Sequence, residues 1–164
     1  MDIRLATAVE LPILESLARE IWPHTYADII TKEQMDFMLN WMYSTETLIT
    51  QQQAGHEFYI LQKDSTDIGF LALEQTGDEL KVNKVYVLPT SQGLGAGKKL
   101  MKKAIERAKA KQCTYIFLQV NRANKAKFFY DKLGFTIRRE EKFDIGHGFF
   151  MDDYVMELKV DKAL

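Results

Sequence analysis

The chain has 164 residues, 22 Lys and Arg against 23 Asp and Glu for a formal charge of −1, 46% hydrophobic residues and a single cysteine, Cys113. This length and apolar fraction fit one domain over residues 1–164 with a core of ordinary size, and the near-zero charge excludes a protein whose main work is coating nucleic acid or an anionic membrane. One cysteine excludes a disulfide-stapled secreted scaffold and points to a reducing cytoplasm.

The chain opens Met1-Asp2-Ile3-Arg4, without the basic start and apolar run of a signal peptide. Its longest apolar cluster, Gly69–Leu73, is far short of the roughly 20 residues a membrane helix needs. The expectation is a cytoplasmic protein with neither membrane nor nucleic acid as partner.

In chain order, Ile3–Ala6 reads as a first strand, and Thr7 with Glu10 reads as a capping box opening a helix. Leu11, Leu14, Leu17, Ala18 and Ile21 form that helix's apolar face, and Trp22-Pro23 is expected to end it. A second box, Thr31 to Gln34, opens a helix carrying Met35, Met38, Leu39 and Met42, and Ser44-Thr45-Glu46 opens a third that closes near Gly55. The period then changes. Glu57–Gln62 and Ile68–Glu74 read as a hairpin joined by residues 63–67, and Thr76-Gly77-Asp78 turns into the strand Leu80–Leu88. A Gly-rich loop, a helix near 98–111, a strand Thr114–Val120 and a helix near 124–132 follow, stopped by Gly134. Two last strands, near Phe135–Phe143 and Phe149–Val160, flank Gly146-His147-Gly148.

The strand Leu80–Leu88 breaks its own alternation: Leu80 and Val82 share one parity, Val85 and Val87 the other. A β-bulge around Asn83–Val85 would produce that slip and leave backbone N–H groups unpaired. A strand apolar on both faces would read the same way.

Between that strand and the next helix stands Gln92-Gly93-Leu94-Gly95-Ala96-Gly97-Lys98. Three glycines in five residues let successive N–H groups turn toward one point, and the helix N-terminus adds partial positive charge, so the loop predicts a phosphate site. Lys98 and Lys99 in the first turn oppose the helix dipole unless an anion sits there. A P-loop is excluded by Gln92 and Lys99 at its first Gly and Ser/Thr places, and a dinucleotide fingerprint by Lys98 at its third Gly.

The run 92–97 resembles the Gln/Arg-x-x-Gly-x-Gly/Ala signature of the Gcn5-related N-acetyltransferases, and Lys84–Pro89 resembles the strand before it. Downstream, Asn124–Phe135 is similar to the family's Asn…Ala…Phe-Tyr-x-Lys-x-Gly-Phe segment. The resemblance implies an α+β acyl-CoA N-acyltransferase fold: a mixed, mostly antiparallel sheet, splayed in the middle and flanked by helices, with acetyl-CoA in the splay and no metal. It implies cofactor contacts from Val85, Val87, Gln92, Gly93, Leu94, Gly95, Ala96, Gly97, Lys98, Asn124 and Lys132, with Asn121 as the alternative to Asn124. Tyr130 matches the general acid. A phenol of pKa about 10 protonates a thiolate whose conjugate acid lies near 8.5 at modest cost; Phe128, Phe129 and Phe135 around it would equally suit a packing aromatic.

The strand preceding the loop carries no carboxylate in Lys81-Val82-Asn83-Lys84, where relatives often hold their general base. Glu79, Glu74, His147, Glu20 or a water chain are the substitutes. The scattered histidines have no metal-ligand spacing. By resemblance the acceptor site lies between the early helices and the last hairpin, which supply Trp22, His24, Tyr26, Met38, Trp41 and Met42, then Glu140, Glu141, Asp144, Asp152 and Asp153. Acids near an aromatic wall suit a cationic amine such as a polyamine; peptide amines and other small amines stay open, as does a homodimer. The layout loosely resembles bacterial spermidine/spermine acetyltransferases. The implied activity is direct acetyl transfer from acetyl-CoA to a primary amine, and the alternative is a weak or inactive acetyl-CoA-binding regulatory module.

Overall fold

The computed structural model describes residues 1–161. Seven strands form one sheet in the order β1-β2-β3-β4-β5-β7-β6. These are β1 (Asp2–Leu5), β2 (Glu57–Lys63), β3 (Thr66–Thr76), β4 (Glu79–Val87), β5 (Tyr115–Asn121), β6 (Thr136–Gly146) and β7 (Phe149–Lys159). Helices α1 (Leu11–Tyr26), α2 (Lys32–Tyr43) and α3 (Thr45–Gln53) lie between β1 and β2; α4 (Ala96–Ala110) and α5 (Ala126–Lys132) flank β5 in sequence. Every strand pair is antiparallel except β4–β5, the one pair that needs a helical crossover, which α4 supplies.

The caps form as expected for α2 and α3: Thr31 Oγ1 accepts from the Gln34 N–H at 3.1 Å, and Ser44 Oγ from that of Thr47 at 3.2 Å. Thr7 also donates its N–H to Glu10 Oε1 at 3.1 Å, but this pair closes a 3-10 turn over Ala8–Glu10. α1 therefore starts at Leu11, and Pro12 falls in its first turn, where a missing N–H is no loss. The expected stop at Trp22-Pro23 is wrong. α1 continues to Tyr26 with Pro23 inside it. Burial outweighs the one lost helical bond: Trp22 is 1% exposed and packs on Tyr26 at 4.5 Å and on Tyr43 at 5.4 Å between ring centres.

The first hairpin is tighter than the five-residue loop expected. Only Asp64 and Ser65 turn, both at positive φ (50° and 64°), the geometry of a two-residue hairpin turn. The bulge is where the parity slip put it: Ala72 faces Lys84 and Leu73 faces Val82, so Asn83 is the extra residue. After it, the inward position falls to Lys84, 4% exposed, while Val85 and Tyr86 are half-buried.

The split that matters lies between β4 and β5. They pair only from Glu79↔Tyr115 to Val82↔Leu118. Beyond that point β4 stays with β3 as far as Gly69↔Val87, and β5 stays with β7 as far as Asn121↔Asp153. α1 packs on β3 and β4, and α4 on β3, β4 and β5, with Leu100, Met101, Ala104 and Ala108 of α4 fully buried. Among the described residues no helix is long and apolar enough to cross a membrane.

Candidate active site

A cavity of about 670 Å³ fills the split, reaching from the Gly-rich loop to the inner ends of β4 and β5. Val85 and Val87 line one wall, with the β4 edge beyond Val82 unpaired toward β5. Gly93 and Gly95 stand at φ +82° and +80°, where an L side chain is strained, and an added Cβ at either would still meet open space. The glycines thus serve backbone direction. Gly95 is the N-cap of α4, which begins at Ala96, two residues before the expected start. The first N–H groups of α4 have no helical partner, and no acidic residue stands in its first turn. Gln92 fixes the loop by donating its side-chain amide to the Val87 carbonyl at 3.3 Å. Gly97 packs against Phe129, 3.4 Å from where its Cβ would be. Gln92, Gly93, Gly95, Ala96, Gly97 and Lys98 all line the cavity, so its loop end fits an anionic phosphate group.

Tyr130 faces the same cavity from α5, 7% exposed and packed edge-on against Phe129 and Phe135 at 5.4 and 5.9 Å. Burial pushes its phenol well above the ordinary value, helped by neighbouring Tyr26, so the hydroxyl keeps its proton. The ring is therefore a packing residue whose protonated hydroxyl belongs to a cavity-lining side chain. Asn124 lines this cavity, and its Oδ1 accepts from the Ala126 N–H at 2.9 Å just ahead of α5. Asn121 instead lines a second pocket, its Oδ1 taken by the Ala123 N–H at 2.9 Å. Lys132 is exposed at the last residue of α5 and is not brought to the cavity; the Leu94 side chain is 49% exposed, outside its lining.

The second pocket, about 420 Å³, opens between α1, α2 and the sheet, and meets the first at Tyr26, Asn83, Tyr86 and Gln119. Trp22, Tyr26, Met38, Trp41 and Met42 form its apolar wall, as expected, while His24 is exposed elsewhere. Of the five acids expected around it, only Asp153 lines it. Glu140 and Asp152 pair with Arg122 at 2.7 and 3.3 Å, Glu141 with Arg139 at 3.0 Å, and Asp144 accepts from the Gly146 N–H.

The proposed substitutes for the missing base divide in the same way. Glu79 is bound by two nitrogens of Arg138, at 3.1 and 2.7 Å, near the closed end of the split. His147 sits exposed in the last hairpin turn against Phe37, and Glu20 is exposed on α1. Glu74 does line the pocket, accepting from Asn83 at 3.1 Å and lying 3.4 Å from His56 Nε2. Sequence reasoning set His56 aside as a bystander with the other histidines and did not bring Lys84 to the acceptor pocket, yet both line it. Burial lowers His56, which keeps it neutral near pH 7, and lowers Lys84 to about 8, with Lys81 adding to the effect. Among the described residues no group of three His, Cys, Asp or Glu could hold a metal ion.

A sheet split, a glycine-rich loop at a helix N-terminus and a buried phenol meet at one cavity, the arrangement that the acyl-CoA N-acyltransferase resemblance implies. Residues 54–137 match the model of the GNAT acetyltransferase domain. The chain belongs to the GNAT acetyltransferase family. The spermidine N(1)-acetyltransferase of Thermoplasma acidophilum is 29% identical, over 98% of this chain and 98% of its own length. The ribosomal protein bS18-alanine N-acetyltransferase of Haemophilus influenzae is 31% identical over 63% of this chain and 70% of its own. The crystal structure of PaiA N-acetyltransferase from Thermoplasma acidophilum, in complex with coenzyme A, has a TM-score of 0.80 at 30% identity, covering 97% of this chain and 99% of that one.

Proposed function

We propose that the protein moves an acetyl group from acetyl-CoA directly to a primary amine of a small molecule or peptide, in the cytoplasm. The observation that carries this reading is the meeting of the two cavities at Tyr26, Asn83, Tyr86 and Gln119: a phosphate-binding loop ends one, and an aromatic pocket with a buried carboxylate forms the other. Relatives named for an amine of spermidine and an amine of a ribosomal protein support the same class of acceptor.

Acetyl-CoA supplies the thioester carbonyl and a thiol leaving group; an ammonium acceptor then yields an amide, a thiol and one proton. The N–H groups of Gln92–Lys98 hold the pyrophosphate, and the unpaired β4 edge around Val85 and Val87 receives the extended pantetheine as an added strand would be received. The bulge at Asn83 frees backbone N–H groups that stabilise negative charge developing on the carbonyl oxygen. Tyr130, held protonated by burial, gives its proton to the departing sulfur.

The pocket's charges narrow the acceptor. Asp153 and Glu74 attract a cation, while Lys81 and Lys84 in the same wall repel a second one. A short amine with a polar or anionic neighbour, such as a peptide N-terminus, suits this mixture better than an extended polyamine. The alternative of a module without turnover rested on the missing carboxylate of β4, and Asp153 and Glu74 take away that motive.

The test is release of free thiol from acetyl-CoA in the presence of spermidine, benzylamine and an alanine-initiated peptide. Amine-dependent release with any of them supports transfer. A protein that binds acetyl-CoA but releases thiol with none overturns it.

A further inference from the structure

Asp153 has no structural explanation in the fold. It stands on β7, opposite Asn121 of β5 and Glu141 of β6, and is 1% exposed. Its Oδ1 has no hydrogen-bond donor among the described residues, and the side chain lines the second pocket. An uncompensated carboxylate inside a protein is destabilising and persists where something else needs it. Trp22, on the pocket's wall, likewise leaves its indole Nε1–H unpartnered. The carboxylate lies close enough to Tyr26, which borders both cavities, for its charge to raise that phenol.

We propose that Asp153 is the catalytic base of the transfer: its unpartnered Oδ1 receives the acceptor's ammonium group and takes one N–H proton from it. The inference rests on the acetyl-transfer reading above. The first proton leaves nitrogen for Oδ1, and the electron pair it leaves behind is the one nitrogen uses for attack; the second N–H proton, lost as the tetrahedral adduct collapses, replaces the one Tyr130 gives to sulfur. Asp153 returns the proton to water once the amide has left. Neither Glu74 nor His56 is equally placed, since each already engages the other and Asn83.

Burial, followed by the neighbouring Asp152, raises Asp153 to about 6, while Lys81 of β4 opposes the rise. The other charged or titratable groups facing the pocket are Glu74 of β3, Lys84 of β4, His56 ahead of β2, and the phenols of Tyr26 of α1 and Tyr86 of β4, both raised by burial; Glu141 of β6 adjoins Asp153 in register. A carboxyl near 6 is a carboxylate at neutral pH and is basic enough to share a proton with a bound amine.

The test uses the full chain saturated with coenzyme A, with benzylamine, spermidine and an alanine-initiated peptide as calorimetric probes, comparing wild type with Asp153→Asn and Asp153→Glu. Asp153→Asn is expected to bind coenzyme A unchanged and its best amine at least tenfold more weakly, with Asp153→Glu recovering part of the loss. In turnover, the acid limb of kcat/KM near pH 6 should vanish in Asp153→Asn and survive in His56→Gln. Unchanged amine affinity in Asp153→Asn overturns the proposal, as does a limb lost in His56→Gln and kept in Asp153→Asn, or no probe binding to the wild type. Amine binding that depends on Asp153 without any thiol release would instead sink the transfer reading and the base role with it, leaving Asp153 as the group that holds the amine.

Discussion

The phenol oxygens of Tyr26 and Tyr86 lie 2.8 Å apart. One residue ends α1 and the other follows the bulge in β4, so this bond ties the acceptor-side helix to the strand that frames the split. Both rings border both cavities. Burial raises both phenols, with mutual repulsion adding to the effect in Tyr86, so the pair stays neutral and one hydroxyl donates to the other.

Removing one hydroxyl leaves its partner buried without a bond, a loss of about 1–3 kcal/mol. Tyr26→Phe and Tyr86→Phe should each destabilise the fold by that order. The double variant should lose less than the sum, because no orphan remains. Urea unfolding of the four proteins measures the coupling, and strictly additive losses would show that the bond contributes nothing.

The loop makes a second prediction. Gly95→Val forces a β-branched residue into φ +80° at the N-cap of α4, although its Cβ would meet open space. The expected result is a folded protein whose acetyl-CoA affinity falls at least tenfold, read by calorimetry, because the first N–H groups of α4 are turned away from the phosphate. Wild-type affinity would remove the loop from the binding site.

Tyr130→Phe keeps the ring contacts with Phe129 and Phe135 and deletes only the hydroxyl. General acid catalysis by a positioned side chain is worth roughly 10²–10⁴-fold. Turnover should therefore fall by about that range while acetyl-CoA affinity changes less than about threefold. Equal losses in both would make Tyr130 a packing residue alone.

The sequence revealed those features whose physics is local. Gly93 and Gly95 betray positive φ, Thr31 and Ser44 betray helix starts, and the parity slip at Asn83 betrays the bulge; each appears where it was expected. Pro23 misled because a local stop signal was weighed without the burial of Trp22 and Tyr26 on either side of it. Lys84 and the burial of Asp153 were harder to see for another reason. Charged residues in strands are read as outward-facing, yet the bulge moves Lys84 from the face of Leu80 and Val82 to that of Ala72, where it is buried beside Tyr43 and Gln51, and β7 is inserted between β5 and β6, which buries Asp153. Strand order depends on contacts far apart in the chain, so four of the five acids grouped by sequence proximity scatter into other ion pairs and turns.

Lys84 supplies the last prediction. Its ammonium is 4% exposed, lies 3.3 Å from Gln51 Oε1 and 5.2 Å from the centre of the Tyr43 ring, and burial lowers it to about 8 from the ordinary 10.5. Between those two values the unfolded chain holds a proton that the folded chain has released, so stability rises with pH across that window. The full difference amounts to about 3 kcal/mol. Lys84→Met should remove most of this rise and stabilise the fold below pH 8, where the buried charge is unfavourable. Unfolding free energies of both proteins between pH 7 and 9.5, below the range where the buried tyrosines add an opposite slope, measure it. The same substitution should move acceptor preference toward spermidine in the thiol-release assay, because one of the two opposing cations has left the pocket. Parallel stability curves for the two proteins would mean that Lys84 is charged and solvated in the folded state, and an unchanged preference would take it out of acceptor selection.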